Sequence, residues 1–180
     1  MTQSTQAAPS VASTATDQAQ THQYLTFMLG GELFAIGILC IKEIIEYTSL
    51  TEVPMMPAAV RGVINLRGAV VPVMDLLIRF GKASSSVSKR TCIVIIEVTG
   101  LGERQDIGIV VDSVDSVLDI PASEIEPPPT FGAGIRTDFI RGMGKVNGKF
   151  VILLDVNHAL AMEEVAALAL SAPQGTEQAA

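Results

Sequence analysis

The chain repeats part of its own sequence, and this repeat constrains the fold more than any other feature. When the sequence is shifted by 80 positions, five residues coincide without a gap. The matches are Arg61 with Arg141, Gly62 with Gly142, Gly68 with Gly148, Val71 with Val151 and Asp75 with Asp155. Each copy reads as a strand, a glycine turn, an apolar strand and an aspartate. The repeat predicts two similar small β-barrels in one chain, since closure protects the edges of small sheets.

A second match lies upstream, at a different spacing. Residues 36–38 and 107–109 are both Ile-Gly-Ile and lie 71 positions apart. We therefore expect the second half of the repeat to begin near residue 91. The difference between the two spacings predicts an insertion of nine residues in the second copy, between residues 127 and 140.

Short β-strands dominate the pattern, and two stretches look helical. Residues 92–96 form a continuous β-branched run that is typical of a strand buried on both faces, and residues 107–111 and 150–154 read similarly. One predicted helix covers residues 40–47. The other follows Asn157, which can cap its first turn. Its apolar face would contain Ala159, Met162, Ala166 and Ala169.

Composition limits the domain count, the location and the partners. Residues 1–22 hold a single charge and no apolar core, so we predict a disordered tail, a folded domain over residues 23–170 and a flexible end over 171–180. A net charge of −7 disfavours nucleic acid as a partner. No apolar run reaches the roughly 18 residues that span a bilayer, and residues 1–22 do not read as a signal peptide. We therefore expect a cytoplasmic protein without direct membrane insertion.

The chemistry-bearing residues do not indicate an enzyme, a metal or a cofactor. The two cysteines and two histidines form no ligand or nucleophile pattern, and no glycine motif for a phosphate or dinucleotide is present. Asp75 and Asp155 are expected to bond backbone amides at strand ends rather than to act as an acid/base pair. The remaining acidic series predicts a solvated face beside buried valines. It comprises Asp112, Asp115 and Asp119, next to Val111, Val114 and Val117.

Exposed side chains offer a binding function instead. Arg67 falls at a predicted hairpin tip, where a long planar cation can reach a partner, whereas the second copy has Asn147 there. Arg67 could equally be an ordinary surface arginine. Residues 41–46 could be entirely core, or an apolar strip with a charged rim of the kind found at protein interfaces.

These residues resemble the CheW family of chemotaxis coupling proteins. The signature is Arg-Gly-Val-Ile-Asn-Leu-Arg-Gly over residues 61–68, followed by Val-Val-Pro-Val-Met-Asp-Leu over 70–76. Supporting segments occur in family order over about residues 23–165. The resemblance implies a mainly β fold of two intertwined, SH3-like, five-stranded barrels, with a short helix in the first half and a C-terminal helix. One departure is Leu77, where many members have arginine.

The same resemblance implies a function and a set of contact residues. It implies a non-catalytic adaptor that couples the cytoplasmic tips of transmembrane chemoreceptors to the CheA histidine kinase, recruited to receptor arrays at the inner face of the membrane. The alternative is a β-barrel that binds a small ligand, which would need an apolar cavity with polar anchors. Carried over by position, the partner-binding residues would be Ile41, Glu43, Gly62, Asn65, Arg67, Gly68, Val114 and Val117.

Overall fold

Two β-sheets make up most of the computed structural model, which describes residues 21–84, 86–100, 102–128 and 137–161. The strands are β1 Thr21–Leu29, β2 Glu32–Gly37, β3 Ile41–Glu46, β4 Val60–Leu66, β5 Ala69–Asp75, β6 Cys92–Gly100, β7 Glu103–Val111, β8 Ser113–Pro121, β9 Ile125–Glu126, β10 Ile140–Val146 and β11 Lys149–Leu154. The helices are α1 Leu76–Arg79 and α2 Val156–Ala159, with short 3-10 helices at Ile38–Cys40, Ala122–Glu124 and Thr137–Phe139. The prediction of a mainly β fold is confirmed.

The two copies of the repeat exchange strands between the sheets. The five-stranded sheet has the order β3-β6-β7-β5-β4, and the six-stranded sheet has the order β8-β1-β2-β11-β10-β9. Each sheet therefore joins a hairpin from one copy (β1–β2 or β6–β7) to the later strands of the other. The sixth strand, β9, has only two residues. Neither sheet can form without strands from both halves of the chain.

Three apolar clusters hold this arrangement together. One fills the five-stranded sheet around Ile93 and Ile95, and one fills the six-stranded sheet around Ala35 and Leu153. The largest lies between the sheets, and it takes residues from both. Four phenylalanines run through it, with neighbouring ring centroids 5.9–6.3 Å apart; they are Phe27, Phe34, Phe80 and Phe139. Because burial of apolar area is the main stabilising term, the two sheets are coupled into one folding unit.

The register confirms the repeat at a spacing of 80 and corrects the upstream match. Val73 pairs with Gly108 in parallel, and its counterpart Leu153 pairs with Ala35. Ala35, rather than Gly37, is therefore equivalent to Gly108, and the Ile-Gly-Ile match at 71 positions is wrong by two residues. The coincidence arose because both strands alternate isoleucine with small residues. The predicted nine-residue insertion is wrong for the same reason, since the equivalent spacing is 73.

The two repeated aspartates end their strands as predicted, by binding backbone amides. The Asp75 carboxylate accepts from the Leu77 and Ile78 amides at the start of α1, at 3.0 and 3.4 Å. Asp155 accepts from the His158 amide at 3.2 Å at the start of α2. The predicted cap Asn157 instead lies inside α2 and accepts from the Thr99 amide at 3.1 Å. Of the predicted apolar face of that helix, Ala159 is buried and the later members lie outside the described residues.

The structure differs from two further predictions, one for residues 40–47 and one for the start of the folded region. Residues 40–47 do not form a helix, since Ile41–Glu46 is strand β3 and pairs with β6. Glutamate, lysine and isoleucine are compatible with a helix locally, but pairing with β6, whose residues 93–96 are buried, overrides that preference. Strand β1 begins at Thr21 and pairs there with Pro121, so the folded region starts two residues earlier than residue 23. Residues 1–20 and 171–180 lie outside the described residues.

Candidate functional site

The β4–β5 hairpin tip presents Arg67 in a conformation that arginine seldom adopts. Arg67 has a φ of 52° and Gly68 a φ of 86°, as a two-residue turn with positive φ at both positions requires. The Asn65 side-chain oxygen accepts from the Gly68 amide at 2.9 Å. The equivalent turn contains Asn147 and Gly148, with φ of 50° and 76°. Asparagine tolerates this region better than arginine, so Arg67 adopts this turn at a conformational cost.

Arg67 forms an ion pair with Glu43, another of the predicted contact residues. Its terminal nitrogen lies 3.1 and 3.2 Å from the two carboxylate oxygens. The Arg67 side chain is 80% exposed and that of Glu43 29%. Strand β3, which carries Glu43, is at one edge of its sheet, and β4 is at the other. The pair therefore connects the two edges of the five-stranded sheet at its surface.

The predicted apolar contact residues occupy equivalent places in the two sheets. Ile41 pairs with Ile96, and Val114 pairs with Phe27 of the equivalent strand. Ile41 and Val114 are half-buried and both pack against the cluster between the sheets. Val117 is 47% exposed, so the prediction that Val114 and Val117 are buried is wrong. Its reason is that β8 is an edge strand, which leaves one face partly open to solvent.

Gly62 has a packing role that the sequence did not reveal. A Cβ atom on Gly62 would lie 2.7 Å from the Thr51 carbonyl oxygen, and one on Gly142 would lie 2.8 Å from that of Glu126. Both distances are too short for any side chain. Each glycine follows a bulge in its strand pairing. Gly62 therefore affects the proposed contact surface indirectly, by allowing the backbone at Thr51 to pack closely against β4.

A charge cluster beside Glu43 was also missed. The Lys42 ammonium lies 2.8 Å from an Asp106 oxygen and 3.1 Å from a Glu97 oxygen, bridging β3, β6 and β7. The hydrogen bonds to Asp106 and Glu97 raise the pKa of Lys42 above its usual 10.5. Lys42 is far in sequence from Glu97 and Asp106, and only the strand register brings these three residues together.

The remaining candidate groups support structure. The Asp75 carboxylate accepts from the Ser84 hydroxyl at 2.6 Å and lies 3.7 Å from the Arg61 guanidinium. Asp112 accepts from the Gly30 amide at 2.8 Å. Burial raises the pKa of the Cys40 thiol. Within the described residues, no cluster of three or more His, Cys, Asp or Glu side chains is placed to hold a metal ion. In the same part of the chain, no helix has the length and apolar character needed to cross a bilayer.

The fold and these surfaces define a β protein whose distinctive side chains lie exposed at its surface, where they can contact a partner. Comparison with known proteins identifies the family, because the CheW-like domain model matches residues 23–164. The chain belongs to the CheW family. It is similar to the chemotaxis protein CheW of Klebsiella aerogenes, at 35% identity over 144 residues, covering 80% of this chain and 84% of that protein.

Other relatives of this chain belong to the same family. The chemotaxis protein CheW of Rhizobium meliloti is 30% identical over 142 residues, covering 79% of this chain and 89% of the relative. A solved structure, the scaffolding protein TtCheW from Thermoanaerobacter tengcongensis, is 35% identical with a TM-score of 0.70, covering 77% of this chain and 87% of the other. The family is thus one of chemotaxis scaffold proteins, and the resemblance read from residues 61–76 is confirmed.

Proposed function

We propose that this chain is a non-catalytic adaptor that couples chemoreceptors to the CheA histidine kinase in the cytoplasm, at receptor arrays. Membership of a family of scaffold proteins supports this proposal. The observation that carries it is the Arg67–Glu43 pair on an exposed hairpin tip, held by a turn that disfavours arginine. Backbone strain at an exposed position is typical of residues that contact a partner or ligand.

The receptor contact is assigned to the surface around β3 and its equivalent β8. It contains Ile41, Glu43, Gly62, Asn65, Arg67, Gly68, Val114 and Val117. The exposed Ile44, at 43%, extends the same strand beside Glu43. An apolar strip with a charged rim is the usual composition of a protein interface. The charged groups would set orientation, and the apolar groups would supply most of the affinity.

The kinase contact is assigned mainly to the first barrel, the five-stranded sheet. The proposed division between receptor and kinase surfaces can be tested by measuring the two affinities separately.

The ligand-binding alternative gains no support, because the interiors of both barrels are filled by buried side chains such as Ile95 and Leu153.

Binding measurements with paired variants test the proposal. The Kd values for a soluble receptor cytoplasmic tip and for CheA are measured with Ile44→Lys, and with Val87→Lys as the control. Val87 is 48% exposed and lies in the loop after α1, so it matches Ile44 in exposure. We expect at least tenfold weaker receptor binding for Ile44→Lys alone, equivalent to about 1.4 kcal/mol. Unchanged affinity for both partners would contradict the assignment, and absence of binding by the unmodified chain would contradict the function.

A further inference from the structure

Strand β8 contains a bulge between two of the residues assigned to the receptor contact. Val114 pairs with Phe27 and Val117 pairs with Leu25, so two residues of β8 lie opposite the single residue Thr26 of β1. Directly opposed residues lie on the same face of a sheet, and Leu25 and Phe27 both belong to the apolar cluster between the sheets. The bulge therefore places Val114 and Val117 on one face, although residues three apart in a regular strand lie on opposite faces.

The side chain of Thr26 fills the gap that this bulge leaves in the pairing of β1 with β8. Its hydroxyl donates to the Ser116 carbonyl oxygen at 2.9 Å and accepts from the Ser116 amide at 3.1 Å. One hydroxyl can make both bonds, because it has one proton and two lone pairs. A carboxylate oxygen of Asp115 lies 3.4 Å from the same hydroxyl. A side chain of β1 thus binds both backbone groups of Ser116 and lies beside the other residue of the bulge.

The other half of the repeat has an apolar residue at the equivalent position. Thr26 pairs with Ala35 and Ile95 pairs with Gly108, so Thr26 and Ile95 are equivalent. Ile95 pairs directly with Glu43 of β3, and it needs no side-chain bond to that strand. Thr26 and Ile95 are both fully buried. Since a buried hydroxyl is unfavourable unless it is hydrogen-bonded, packing alone favours an apolar side chain here, and the bonds to β8 offset the cost of threonine.

Bulges give the edge strands β3 and β8 the same apolar pattern. Ile41 and Ile44 of β3 pair with Ile96 and Val94, with a register shift between them. Ile96 and Val94 also belong to the cluster between the sheets, so Ile41 and Ile44 share one face of their sheet. Ile44 is 43% exposed and its equivalent Val117 is 47% exposed. The proposed contact surface thus uses two matching strands, and its β8 half depends on the bulge at Thr26.

We propose that Thr26, given the adaptor function proposed above, is a positioning residue for the receptor contact. Its hydroxyl holds β8 in the bulged register and so keeps Val114 and Val117 on one face of the sheet. Without the hydroxyl, a shift of β8 by one residue relieves the bulge and turns Val117 to the opposite face. Thr26 itself is fully buried and does not touch the partner, so it acts through β8.

Binding measurements on the full chain test this role with matched variants. Thr26→Val removes the hydroxyl at nearly constant shape, and it should weaken binding of a soluble receptor cytoplasmic tip about fivefold without changing the Kd for CheA. Thr26→Ser keeps the hydroxyl and should bind like the natural chain. Thr91→Val is the control for lost stability, because Thr91 is also buried and its hydroxyl accepts from the Ser88 amide at 2.8 Å; it should leave receptor binding unchanged. Equal weakening toward receptor and CheA by Thr26→Val would make Thr26 merely structural and overturn the proposal.

Amide hydrogen exchange tests the hold on β8 without a partner. The Ser116 amide should exchange about tenfold faster in Thr26→Val than in the natural chain or Thr26→Ser, since Thr26 is its acceptor. The Gly68 amide, which is also bound by a side chain, is the internal reference and should not change. Equal Ser116 rates in all three proteins would overturn the proposal. Failure of the natural chain to bind the receptor tip would contradict the adaptor function itself, whereas normal receptor binding by Thr26→Val would overturn only the role of Thr26.

Discussion

The Arg67 guanidinium lies 3.1 Å from the Glu43 carboxylate, and this contact joins the tip of the β4–β5 hairpin to the edge strand β3. With the Arg67 side chain 80% exposed, solvent screens the attraction. Exposed pairs of this kind contribute little to folding. The pair is thus better suited to orienting two charged groups toward a partner than to stabilising the sheet.

The first prediction separates folding from binding at Arg67. Arg67→Asn copies the equivalent residue Asn147 and keeps a side chain that accepts positive φ. We expect the free energy of unfolding to change by about 0.5 kcal/mol or less. Receptor binding should weaken by about thirtyfold, which corresponds to about 2 kcal/mol. Chemical denaturation and a receptor-binding titration on the same protein measure both. Intact binding would make Arg67 an ordinary surface residue.

Charge reversal at the same position gives the second prediction. Arg67→Glu should weaken receptor binding more than Arg67→Asn, because it places like charge beside Glu43 and reverses the charge that the hairpin tip presents to the partner. Adding Glu43→Arg restores the ion pair within the chain but not the cation at the hairpin tip. We therefore expect the double variant to remain weak in binding. Full recovery would show that only the internal pair matters.

The third prediction concerns the close approach at Gly62. Gly62→Ala should destabilise the protein by about 1–3 kcal/mol, since its Cβ would lie 2.7 Å from the Thr51 carbonyl oxygen. Gly37→Ala is the control, because nothing lies within 4 Å of a Cβ there and its φ is −60°. It should be neutral or slightly stabilising. Equal unfolding midpoints for the two variants would refute the packing role of Gly62.

The fourth prediction uses the turn glycines of the repeat. Gly68 and Gly148 both have positive φ, and a Cβ on either would meet nothing within 4 Å. Conformation alone therefore sets the cost. Replacement of either by Val should destabilise the protein by about 1–3 kcal/mol, and replacement by Asn should cost less. Two neutral valine variants, measured by thermal unfolding, would count against equivalent turns.

The fifth prediction follows from the raised pKa of Lys42. A cation whose pKa is higher in the folded state stabilises that state below its unfolded pKa of 10.5. The contribution is lost as the pH rises through the folded pKa. The difference in unfolding free energy between the natural chain and Lys42→Gln should therefore be largest below pH 10 and shrink above pH 11. A difference that is constant with pH would contradict the role of Asp106 and Glu97.

Local sequence patterns were enough to locate the turns and strand ends. Gly68, Gly148, Asp75 and Asp155 have their predicted roles because each role depends on a few neighbouring residues. The pattern also identified Arg67 as a hairpin-tip residue. Such features need no knowledge of distant parts of the chain.

Features set by distant contacts were missed or misread. The helix predicted over residues 40–47 is strand β3 because β6, far along the chain, supplies its hydrogen-bonding partner. The contact between Gly62 and Thr51, and the Lys42 cluster, depend on register between strands. Val117 is exposed because the exchange of strands places β8 at a sheet edge. None of these relations has a local signature.

Reconstitution of the signalling complex tests the central proposal most directly. A receptor cytoplasmic tip, CheA and the full chain are mixed, and autophosphorylation of CheA is measured as the concentration of the chain increases. We expect receptor control of the kinase to appear only when the chain is present, and Arg67→Asn to shift this dependence to about thirtyfold higher concentration. Kinase activity that stays the same with and without the chain, at concentrations where all three components are saturating, would contradict it.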